Sequence, residues 1–90
     1  MHVIKKVENP QYQTMREIAQ IYWDNWLIIS NLTDNPSGGI VRFYCYVNND
    51  ELTNIIIEMD KDYDVYGDCI IRFVGPNRGD SQKSAFTRTS

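Results

Sequence analysis

Cysteine and histidine are scarce in this 90-residue chain: two Cys, Cys45 and Cys69, and one His, His2. Two thiols are too few for a disulfide scaffold, and with a single imidazole near the terminus they do not complete a zinc site. Both are expected as reduced core thiols, because free cysteine behaves as a small hydrophobe. No metal and no cofactor are expected. Long apolar runs are also missing. Stretches such as Leu27-Ile28-Ile29 and Ile55-Ile56-Ile57 fall far short of the ~18 residues of a membrane span. The start, Met1-His2-Val3-Ile4-Lys5-Lys6, has no apolar signal-peptide core, which points to the cytoplasm. Nor is there an excess of positive charge. Nine Lys and Arg against 12 Asp and Glu leave a formal charge of −3, without the basic footprint of a nucleic-acid binder.

Several chemistries lack their residues. No G-x-S-x-G elbow surrounds Ser30 or Ser37, and Gly38-Gly39 has no phosphate-loop lysine after it. Asp60-Lys61-Asp62-Tyr63-Asp64 has the carboxylate spacing of a calcium loop. Its sixth position, which needs Gly, holds Val65, and its twelfth, which needs Glu, holds Ile71. Arg78-Gly79-Asp80 and the sequon Asn31-Leu32-Thr33 carry no meaning without secretion. The chain is expected to be non-enzymatic.

What is present is an ordinary globular composition, 42% hydrophobic and 23% charged. One α+β domain is expected over residues 1–75, followed by a mobile polar tail over 76–90. Residues 3–7 suggest a short strand, and Asn9-Pro10 a helix start. Met15, Ile18, Ala19 and Tyr22 fall on one helical face. Strands follow at 26–32 and 40–47, joined by a long loop over 31–39. Asn48 and Glu51 have capping-box spacing. Leu52, Ile55, Ile56 and Met59 form the clearest helical stripe in the chain, and a last strand spans 69–74. The order (β)αββαβ is ferredoxin-like if the first strand is real. It predicts a two-layer sandwich with both helices on one face of a three- or four-stranded sheet.

Between Met15 and Gly75 the chain resembles a group of short prokaryotic α-β-β-α-β domains, in which a helix ends in Tyr and Trp opens a strand four residues later. Here these are Tyr22 and Trp26. The group usually carries Pro, Gly and Lys between them, where this chain has Trp23, Asp24 and Asn25. The resemblance implies the fold and no reaction or ligand.

Strand alternation assigns faces. Val41, Phe43 and Cys45 should point to the helices together with Met15, Ile18, Leu27, Ile29, Leu52, Ile55, Ile56, Met59, Ile71 and Phe73. The far face then carries Trp26, Ile28, Arg42, Tyr44, Tyr46, Ile70 and Arg72. Aromatics with arginine are what protein interfaces concentrate. The leading expectation is therefore an interaction module that contacts a protein partner, or a second copy in a homodimer, through Trp26, Ile28, Arg42, Tyr44, Tyr46 and Arg72. An alternative is an acidic inhibitor of the kind mobile elements encode, with Glu58, Asp60, Asp62, Asp64 and Asp68 imitating nucleic-acid phosphates. A ligand-sensing domain is the third reading, by analogy of fold.

Overall fold

A computed structural model describes residues 4–48 and 50–76. The elements are β1 (Lys5–Lys6), β2 (Tyr12–Thr14), α1 (Met15–Ile21), β3 (Asn25–Asp34), β4 (Ser37–Cys45), α2 (Asp50–Asp60), α3 (Tyr63–Tyr66) and β5 (Ile70–Val74). The α+β class and the antiparallel sheet are as expected. The tail beyond Pro76 lies outside the described residues, and so does residue 49, on which the Asn48–Glu51 capping expectation turns. Among the described residues no helix is long and apolar enough to cross a membrane.

The first strand is real but broken. β1 and β2 pair with the same edge of β4, through Lys5↔Tyr44 and Tyr12↔Ile40. Short pieces, exposed lysines and Pro10 between them make this a blunted edge. The first helix begins at Met15, not at Pro10. Thr14 and Glu17 form a capping box at its start: Glu17 N–H donates to Thr14 Oγ1 at 3.3 Å, and Thr14 N–H donates to Glu17 Oε1 at 3.0 Å. The expected loop over 31–39 is mostly strand. β3 and β4 run on to Asp34↔Ser37 and turn through Asn35-Pro36, whose peptide bond is cis. Gly38 lets β2 lie close here, since a Cβ would stand 2.5 Å from both Tyr12 Oη and Gln13 O.

The sheet order is β1/β2-β4-β3-β5, and this decides where the helices go. β2 and β3 are parallel with β4 between them, and β4 and β5 are parallel with β3 between them. Each pair is joined by a helical crossover, and such crossovers share one hand. Both advance in the same direction across the sheet, but they leave strands that point opposite ways. They must therefore pass over opposite faces. α2 and α3 form the expected helix layer on one face, whereas α1, expected beside them, covers the other. Had β5 paired beside the blunt N-terminal edge, the second crossover would reverse and both helices would share a face.

The core is accordingly two clusters, one on each side. Trp26, Ile28 and Ile71 pack with Leu52, Ile56 and Met59 of α2. Leu27, Ile29, Val41 and Val74 pack with Ile18 of α1. The helical stripes of both helices are those expected. The facing of β4 is not, because Arg42 is an extra residue between the pairs Ile28↔Phe43 and Ile29↔Val41. This bulge sends Val41 toward α1, while Phe43 faces α2.

Candidate functional site

The sheet face expected to meet a partner is buried. Trp26 and Ile28 are both 0% exposed, beneath α2, with Trp26 and Phe73 rings 5.4 Å apart. The two share one parity, as expected, and α1 packs on the opposite side of the sheet through Ile18 against Leu27, Ile29 and Val41. Tyr44 is half-buried on the α1 side, its ring 5.3 Å from that of Tyr22. Arg72, opposite Leu27, is exposed on that side, and Ile70 is half-buried there. Tyr46 lies beyond the end of β4 and is exposed. The structure therefore divides the six proposed contact residues between two faces and does not assemble them into one surface.

Arg42 stands on the α2 side in a polar network built by two bulges. The first is at Arg42 itself. The second, between Ser30 and Thr33, sets Asn31 and Leu32 against β4 and restores the register. Asn31 adopts a φ of +53° there, a conformation that asparagine tolerates better than most residues. Arg42 Nε donates to Ser30 Oγ at 2.7 Å, and Nη2 donates to Asn31 Oδ1 at 3.1 Å. Ser30 Oγ in turn donates to Asn31 Oδ1 at 2.7 Å. Ser30 is fully buried, so these bonds satisfy a hydroxyl that would otherwise be costly. Asn31 Nδ2 donates to Val65 O at 3.0 Å, and the Arg42 guanidinium lies 5.1 Å from the Tyr66 ring centroid. The network fixes α3 to the sheet and holds the Tyr66 ring in place.

Tyr66 is one wall of an open groove of about 340 Å³, lined otherwise by Phe43, Asn54, Ile55, Glu58 and Met59. The four α2 residues lie at i, i+1, i+4 and i+5, one stripe along the helix. Phe43 rises from β4 on the same face. α3 ends at Gly67, with φ +57°, whose N–H donates to Tyr63 O at 2.8 Å. The groove is apolar at its base and polar at its rim.

The rim is acidic. Glu58 pairs with Lys61 at 3.2 Å, with 72% and 66% of their side chains exposed. Asp60, Asp62, Asp64 and Asp68 are all exposed. Among the described residues no three His, Cys, Asp or Glu side chains come together as a metal-binding group. The Cys69 thiol is half-buried and lies 3.7 Å from Tyr66 O. Burial and then Asp60 push its pKa up, Arg42 lowers it by less, and Asp68 raises it a little further. It is a protonated thiol at neutral pH and a poor nucleophile. A second hollow of about 220 Å³ sits where the edge strand breaks, between Val7–Gln11, Gln13, Tyr22 and Val41.

Sequence reasoning placed Phe43, Ile55 and Met59 in the core and passed over Asn54 and Tyr66. Asn54 beside Ile55 marks the border of the helical stripe and was a usable signal. Tyr66 carried none, because its position depends on Arg42 across the sheet. No family model, curated protein or solved structure matches this chain.

Proposed function

We propose that this chain is a small non-enzymatic interaction module that seats an apolar side chain of a partner protein in the groove between α2, Phe43 and Tyr66. The observation that carries the reading is the groove itself, with Phe43, Ile55 and Tyr66 partly uncovered around buried Met59 and beside polar Asn54 and Glu58. A small-molecule site encloses most of its ligand, whereas this groove is open along one side and suits a side chain presented from a larger body. Trp26 and Ile28 of the expected contact face are buried and its other members lie apart from them, so the groove is the better surface for this contact.

Titration of the isotopically labelled protein with a short peptide carrying one phenylalanine tests the reading. Amide shifts should concentrate at Phe43, Asn54, Ile55, Met59 and Tyr66. Asn54→Trp, a substitution at an exposed position, should fill the groove and abolish them. Shifts that survive Asn54→Trp, or that map to the α1 face, would refute the proposal.

A further inference from the structure

We propose that the partner segment is cationic, with lysine or arginine side chains flanking the apolar residue that enters the groove. This rests on the groove reading above and adds the chemistry of the partner. Glu58 forms part of the groove wall, Asp60 ends α2, and Asp62, Asp64 and Asp68 follow through α3 and the loop beyond it. That is five carboxylates within the eleven residues 58–68, opposed within the segment by Lys61, while Arg42 lies against the Tyr66 ring and is held by Ser30 and Asn31. The Lys61–Glu58 pair is solvent-exposed on both sides, and such pairs hold weakly. An incoming cation can replace it.

The placement of the charges runs against the stability of the free chain. A helix C-terminus carries a partial negative charge that favours cations. α2 has no basic residue in its last turn and has Glu58 and Asp60 there. A cationic segment would relieve this self-repulsion, and an acidic one would add to it. The apolar groove favours a segment with an anchoring side chain over simple imitation of phosphates, which needs carboxylates and no apolar groove.

Fluorescence anisotropy with four short dye-labelled peptides tests this: one phenylalanine among lysines, the same with glutamates, the same with serines, and the lysine peptide with its phenylalanine replaced by serine. The lysine–phenylalanine peptide should bind about tenfold more tightly than the serine–phenylalanine peptide. Most of that advantage should vanish between about 0.1 M and about 0.5 M salt. Combined Asp60→Asn, Asp62→Asn and Asp64→Asn, at exposed positions, should reduce it to the serine level with an unchanged circular dichroism spectrum. Equal binding of the three phenylalanine peptides overturns the cationic partner and leaves the groove reading intact. Equal binding of the lysine peptides with and without phenylalanine overturns the groove, because the carboxylates then act alone. Binding by none of the four overturns both.

Discussion

Arg42 Nη2 donates to Asn31 Oδ1 across 3.1 Å, and each residue sits in a bulge of its own strand. The two bulges cancel in register, so β3 and β4 are aligned on both sides of them. Between them an arginine is turned onto the α2 face, where a regular strand would have put an apolar residue. The bulges are thus the reason that Tyr66 has a cation to lie against and that the groove has its far wall.

Removal of that arginine should destabilise the fold and not only the groove. Arg42→Met leaves buried Ser30 without its donor and is expected to cost about 1–3 kcal/mol in urea unfolding. Asn31→Ala should be coupled to it by about 0.5–3 kcal/mol in a double-mutant cycle. Strict additivity would mean that the network is not a unit.

Trp26 and Arg72 are adjacent in the sheet on opposite faces, although the sequence reading grouped them. Trp26→Ala should cost about 3–5 kcal/mol by removal of a fully buried ring. Arg72→Ser should change stability by no more than about 0.5 kcal/mol. Comparable losses by thermal or chemical denaturation would contradict the burial of the first and the exposure of the second.

Gly38→Ala should loosen the junction of β2 with β4. Its Cβ would meet Tyr12 Oη and the backbone oxygen of Gln13 at the same 2.5 Å. Truncating the tyrosine alone cannot relieve the clash. A cost of about 1–3 kcal/mol is expected, and Tyr12→Ala should fail to rescue it.

Alkaline pH should weaken the protein in two steps. The Cys69 thiol, ordinarily at 9.0, is raised by burial and then by Asp60 and Asp68. The Tyr22 hydroxyl, ordinarily at 10.0, is raised by burial and then by Tyr44. Both acids bind their protons more tightly in the folded state. Their contribution is therefore whole below the unfolded values and declines as pH rises through them. Melting temperature should fall from about pH 9, with Cys69→Ala removing the first part of the decline and Tyr22→Phe the second.

Asp60→Lys sets stability against binding. A cation in the last turn of α2 should stabilise the helix by about 0.3–1 kcal/mol, visible as a higher midpoint in urea. The same change should weaken binding of the lysine–phenylalanine peptide. Stability and affinity that rise together would remove the argument from charge placement.

Periodicity alone determined much of this molecule. The stripes Met15–Ile18–Ala19–Tyr22 and Leu52–Ile55–Ile56–Met59, the strand-forming runs, and the grouping of Leu27 with Ile29 against Trp26 with Ile28 are all local patterns of spacing two or 3.6. The capping box at Thr14 and Glu17 was equally local and was obscured by the stronger punctuation of Asn9-Pro10. Tertiary structure decided the rest. The side of the sheet that each helix covers depends on which edge β5 joins, and that competition between β3 and the lysine-bearing N-terminal strand has no signature within either segment. The bulges at Arg42 and Asn31 likewise exist only as a relation between two strands, since one extra residue has meaning only against a partner. The packing of helices on both sheet faces and the groove beside Tyr66 follow from those non-local pairings, in which free energy is gained by contact between segments and not by pattern within them.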